Sequence, residues 1–211
     1  VELPLLPAPK KTSPKPKEEK IETGTLIDTI FDSGIDVINR RVFLTGEMDS
    51  DARNSNLDSV VKGLLFLDQK VNDEPIKLWI NSPGGCVNDM FALYDIIQGI
   101  DSAVYTIGYG EVCSAAALIL ACGDKKFVTP NCWFMSHEPS LNIEEPLYTA
   151  EKRVDITKRQ WSRWAALMSK HSNKTKTWWS NEIKKQREVW FGAEELVEIG
   201  VADTILERFK Q

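Results

Sequence analysis

The sequence lacks any apolar run approaching the roughly 20 residues that a membrane-spanning helix needs, so no membrane partner is expected. Its start has no charged-then-apolar signal pattern, and it begins at Val1 without an initiator Met, which reads as trimming or processing. Neither sign of charge dominates. The 26 Lys and Arg against 31 Asp and Glu leave a net charge of -5, which argues against a general nucleic-acid binder and suits an ordinary soluble surface. The four cysteines, Cys86, Cys113, Cys122 and Cys132, form no C-x-x-C pair, which excludes a zinc knuckle or a thioredoxin-type motif. Lying in or beside apolar runs, they read as reduced core residues of a cytoplasmic chain, with no metal and no cofactor expected. Histidine is scarce: only His137 and His171 are present.

What is there is enough for one substantial core, 211 residues at 42% hydrophobic composition. Residues 1–22 place five prolines among lysines and glutamates, a composition that cannot build a core and reads as a flexible tail. The remainder, 23–211, reads as one domain of alternating strands and helices. Expected strands are 42–46, 76–80, 103–107, 126–128 and 132–136; expected helices are 52–67, 87–100, 114–122, a long amphipathic one over about 147–170, and 178–189. A short helix and a closing strand, 202–206, complete the chain. Strands alternating with helices of this length predict βαβ units and a largely parallel sheet.

Three features fall at strand ends, where an open α/β sheet presents side chains and free backbone donors to a ligand. Ser114 ends a turn and opens an apolar helix, a position that suits a nucleophile and equally a plain helix cap. His137 closes a strand before Glu138-Pro139, where proline forces the chain to turn away. Ser82-Pro83-Gly84-Gly85 offers paired glycines whose backbone N–H groups can approach a reacting atom, or simply make a turn. His171, in the polar run Lys170-His171-Ser172-Asn173-Lys174, reads as a solvated helix end.

These features recur in the order of a known family. Phe43-Leu44-Thr45-Gly46, Ile80-Asn81-Ser82-Pro83-Gly84-Gly85, Tyr94-Asp95-Ile96-Ile97, Gly110-x-x-x-Ser114, Pro130-Asn131, Met135-Ser136-His137-Glu138-Pro139 and the run from Ala193-Glu194-Glu195 to Asp203 resemble the ClpP serine peptidases over residues 25–208. The resemblance implies a ClpP/crotonase-like fold of repeated β-β-α units with a protruding handle helix. It also implies a Ser114–His137 pair, with the Gly85 and Ala115 N–H groups holding the oxyanion. The family's acid falls on Glu188, after Arg187, across a short insertion between Asn173 and Trp179; Glu182 is the alternative. Implied partners are further copies in a heptameric ring or double ring, or related subunits in a hetero-ring, together with an AAA+ unfoldase and unfolded polypeptides. The compartment would be the cytoplasm, an organelle stroma or matrix, or a phage-infected host.

The chain departs from the family pattern at several places. Glu111-Val112-Cys113 and Ala115-Ala116 flank the serine, and Ser140 to Glu145 replace a glycine-rich stretch, which predicts altered substrate alignment and ring contacts. Trp79 keeps one docking aromatic, but Lys77 and Gly99 stand where aromatics are usual, which predicts weaker insertion of an apolar partner loop. The competing readings are an inactive ClpR-like ring subunit, a crotonase-like acyl-CoA enzyme, and a Ser-Lys peptidase using Lys184 or Lys185.

Overall fold

Ile76-Lys77-Leu78-Trp79-Ile80 alternates as a strand must when only one of its faces meets a core. Ile76, Leu78 and Ile80 are fully buried, whereas Lys77 and Trp79 on the opposite face are half-buried. A computed structural model of the chain describes residues 32–49, 55–69 and 74–208. The tail expected over 1–22 lies outside the described residues.

The strands are β1 (Ile35–Asp36), β2 (Arg41–Met48), β3 (Ile76–Gly85), β4 (Val104–Cys113), β5 (Lys125–Val128), β6 (Trp133–His137), β7 (Glu188–Phe191) and β8 (Thr204–Ile205). They form one sheet in the order β1-β2-β3-β4-β5-β8, with β6 beside β4 and β7 beside β6. Pairing is parallel except for β1 with β2 and β6 with β7. Strand β4 forks the sheet: Tyr105–Gly108 pair with β5, and Glu111–Cys113 pair with β6.

The helices are α1 (Leu57–Asp68), α2 (Val87–Gly99), α3 (Ala115–Ala121), α4 (Leu147–Lys170), α5 (Lys176–Gln186) and α6 (Ala193–Glu198). Every residue of α3 is buried, so this short helix is central core. Its Ala-rich start, Ala115-Ala116-Ala117, lets neighbouring elements approach closely. Among the described residues, no helix is long and apolar enough to cross a membrane.

Three strands run further than the sequence predicts. β2, β3 and β4 were expected to end near Gly46, Asn81 and Ile107, yet they continue to Met48, Gly85 and Cys113. Gly46, Gly84 and Gly110, with φ of 74°, 92° and 64°, mark irregularities inside the strands instead of their ends. Glycine reads as punctuation locally, but inside a sheet it permits a bulge or a close backbone approach. The ladder shifts between Thr45 and Glu47 and again between Ile80 and Ser82.

The C-terminal region also differs. The helix expected over 178–189 is α5, opened by Thr175, whose hydroxyl accepts from Trp178 N–H at 3.1 Å, and closed at Arg187 with φ 71°. The chain then becomes β7, which pairs antiparallel with β6.

His171 is not a solvated helix end. It is half-buried, with Nε2 3.1 Å from Tyr94 Oη and the two rings edge-to-face at 5.7 Å. Burial, then the neighbouring Lys170 and Lys126 charges, lowers its pKa to about 4. The folded value lies below the unfolded 6.5, so the unfolded chain takes up the proton first, and stability falls as pH drops from 6.5 towards 4. Urea midpoints measured across that range should decline less in His171→Gln than in the parent.

Candidate active site

The fork in β4 brings the ends of β4 and β6 side by side. Cys113 pairs with Met135, so Ser114 leaves β4 next to the residues that lead into His137. The Ser114 N–H donates to the Met135 carbonyl at 2.7 Å, fixing the junction. Ser114 has φ 54° and ψ -115°, a conformation rare for a residue with a side chain and worth about 1–3 kcal/mol of strain.

Ser114 occupies the cap position of α3, but its side chain makes no capping hydrogen bond. Thr175 at the start of α5 does make one. The plain-cap reading of Ser114 therefore loses its physical basis, and the hydroxyl stands at a strained turn with no bond to the helix it precedes.

Two neighbours shape that turn. A Cβ on Gly84 would lie 2.5 Å from the Cys113 carbonyl oxygen, 2.7 Å from Ser114 Cβ and 2.8 Å from Ala115 N, so only glycine fits against the serine. Ser82, fully buried, donates to the Gly46 carbonyl at 2.6 Å and accepts from Gly84 N–H at 3.1 Å. Its hydroxyl thereby holds the Pro-Gly-Gly segment in place. Gly84→Ala should displace Ser114 and lower its reaction with an active-site probe by about 10²-fold, since shifts of about 1 Å carry penalties of that size. The rate of probe labelling of the assembled variant checks this.

Ser114, Ala115, Gly85 and His137 line one open cleft together with Met90 of α2 and Trp161 and Trp164 of α4. Four of the five residues singled out from the sequence are thus brought together. The fifth, Glu188, is on β7 directly opposite His137 in the antiparallel register. Side chains of such a pair share a face of the sheet, with Cβ atoms about 5 Å apart. Glu188 is exposed, and its Oε2 accepts from Trp190 Nε1 at 3.2 Å. Glu182 lies on α5, and its Oε2 accepts from Gln186 Nε2 at 2.8 Å. Flanking the His137–Glu188 pair, Arg187 Nη1 and Glu138 Oε1 are 3.3 Å apart.

Cys113, immediately before the serine, is 3% exposed, and burial, then Glu111, pushes its thiol up to about 11. A thiol so held stays protonated near neutral pH and does not compete as a nucleophile. All four cysteines are free. Among the described residues, no group of three or more His, Cys, Asp or Glu could hold a metal ion.

Sequence reasoning missed Gly84 and the two tryptophans. Gly84 was visible as half of a Gly-Gly pair, but which glycine touches the serine depends on the β3–β4 register. Trp161 and Trp164 were visible as part of the apolar face of a long helix, with no local sign that this face closes a cleft.

A mostly parallel sheet with helices packed on it, extended by a 24-residue helix that also walls the cleft, is an α/β architecture of the ClpP-like class. The chain belongs to the Clp protease family, whose sequence model matches residues 29–209. It is similar to the ATP-dependent Clp protease proteolytic subunit 2 of Pseudomonas aeruginosa, with 31% identity over 198 residues, 93% of this chain and 94% of that relative.

Proposed function

We propose that the chain is a serine endopeptidase, the proteolytic subunit of a ring-forming Clp protease that cleaves unfolded polypeptides delivered by an AAA+ ATPase. Ser114 Oγ attacks the scissile carbonyl as His137 takes its proton. The Gly85 and Ala115 N–H groups stabilise the oxyanion, and His137 then protonates the leaving amine. Water hydrolyses the acyl-enzyme by the same route, with His137 as base. Glu188 orients His137 and stabilises the imidazolium. The observation that carries this reading is a strained serine, free of any capping bond, sharing a cleft with one of the chain's two histidines.

Two surfaces support assembly with further copies. On the half-buried face of the parallel sheet, Phe43 stacks on Trp79 at 6.3 Å and Tyr109 meets Trp79 edge-on at 6.0 Å. These rings surround Trp79 although Lys77 and Gly99 supply none, and they suit either a neighbouring subunit or an apolar partner loop. On α4 the buried residues are confined to Trp164, Ala165, Leu167 and Met168, while Leu147, Tyr148 and Ile156 nearer its start are 67%, 83% and 45% exposed. Large apolar side chains left bare over the first half of a helix suit contact between rings. Residues 23–211 act as the peptidase unit, with 1–22 appended as a tail, in a cytoplasmic or organellar compartment.

A fluorophosphonate applied to the assembled protein should label Ser114, with the modified peptide identified by mass spectrometry. An assembled ring that stays unlabelled would instead make this chain a non-catalytic ring subunit.

A further inference from the structure

We propose that Trp190 is a positioning residue for the proposed reaction: its indole N–H holds the Glu188 carboxylate in place beside His137. The consequence for rate rests on the peptidase reading; the tether itself rests only on the geometry of β7. Val189 is 1% exposed and points into the core, so Glu188 and Trp190 on either side of it project from the opposite face of the strand. Their register partners on β6 are His137 and Met135. The four side chains form one block, with His137 across the ladder from Glu188 and Trp190 along the strand from it.

Little else holds Glu188. β7 pairs with β6 alone among the described strands, and Glu188 is exposed. A glutamate on such an edge spreads over several rotamers, and each one that turns away from the imidazole is lost to the reaction. Trp190 Nε1 donates to Glu188 Oε2 at 3.2 Å, and among the described residues no other donor is bonded to this carboxylate. The neighbouring cation is engaged elsewhere, since Arg187 Nη1 lies 3.3 Å from Glu138 Oε1. Met135, the register partner of Trp190, sets a polarisable thioether beside the indole.

An indole suits this task. It has two side-chain torsions, no charge and one N–H, so it fixes one carboxylate oxygen without neutralising the group and leaves the other available to His137. A lysine or arginine at this position would fix the carboxylate and cancel the charge that an imidazolium needs. The Glu188 charge does reach the strand that carries the serine: after burial and Glu111, it helps to raise the Cys113 thiol.

Trp190→Phe keeps a ring and removes the donor. In the assembled full chain it should lower kcat for a fluorogenic peptide about 10-fold with KM unchanged, the loss expected for one hydrogen bond to a charged group. It should also lower the apparent pKa of the histidine limb of the kcat/KM profile, towards that of Glu188→Gln. Arg187, Glu138 and Glu111, the nearby charged groups on other elements and in the adjoining turns, are common to all these variants, so differences between them report Glu188. Trp190→His, which carries Nε2 at the matching place on a five-membered ring, should recover most of the rate at about pH 8, where an imidazole is neutral. In a Glu188→Gln background, Trp190→Phe should cost less than about 2-fold. No loss in Trp190→Phe, an equal loss in both backgrounds, or no recovery in Trp190→His overturns the positioning role. Indole N–H spectra of protein labelled with nitrogen-15 tryptophan decide the tether separately. The Trp190 resonance, identified by its absence in Trp190→Phe, should move upfield in Glu188→Ala; an unmoved resonance overturns the tether. Failure of Ser114 to react with fluorophosphonate, or a full rate in Glu188→Gln, overturns the peptidase reading or its acid instead, and this resonance still decides the tether.

Discussion

Replacing Ser114 with Ala should lower peptide hydrolysis by at least about 10⁴-fold, as loss of an activated nucleophile does elsewhere, while leaving assembly intact. The separation of the two effects follows from the local structure. The Ser114 side chain makes no capping bond, so its removal forfeits none of the roughly 1 kcal/mol that a capping hydroxyl contributes. Alanine at φ 54° bears the same backbone strain as serine, and the bond from its N–H to the Met135 carbonyl persists. A serine that served only as a helix cap would give the reverse pattern, with hydrolysis kept and stability reduced. Hydrolysis of a fluorogenic peptide, urea midpoints and native mass spectrometry on the same preparation distinguish the two.

Glu188→Gln is expected to lower the hydrolysis rate by about 10²–10³-fold with little change in stability. Glutamine has the same length and its side-chain oxygen can still accept from Trp190 Nε1, so the packing around β7 is retained. What disappears is the negative charge opposite His137, and with it the stabilisation of the imidazolium formed as Ser114 attacks. The loss is set below that of a fully buried acid because Glu188 is exposed and water screens its charge. Strand pairing gives Glu188 its claim, since His137 and Glu188 are register partners, whereas Glu182 belongs to α5 and is bonded to Gln186. A full rate in Glu188→Gln together with a collapsed rate in Glu182→Gln would transfer the role to Glu182. Rates as a function of pH for both variants settle the matter.

How far the site could be read in advance depends on how local each signal is. Ser114, His137 and Gly85 stand at chain-level punctuation: a glycine-led turn before an apolar helix, a strand before Glu-Pro, and a Gly-Gly pair. Such signals survive without knowledge of the fold. The same punctuation misled where glycine lies inside a strand, because only a paired neighbour reveals that Gly46, Gly84 and Gly110 continue a ladder. β7 was hidden for a related reason. Glu188-Val189-Trp190-Phe191 is short, follows a helix without a break, and becomes a strand because β6 supplies its hydrogen bonds.

The sequence by itself determined the class of fold, the order of its motifs, and which residue types could carry an acyl transfer. It also held the rotational pattern that puts Trp161, Trp164 and Met168 on the apolar face of one helix. The tertiary structure alone decided that Ser114 and His137 share a cleft, that Gly84 is the glycine pressed against the serine, that Glu188 is the register partner of His137, and that two tryptophans line the same cleft. Each of these is a relation between segments far apart in the chain, set by the fork of β4 and the register of its neighbours. Ladder register and helix docking are long-range properties, and no window of sequence contains both partners.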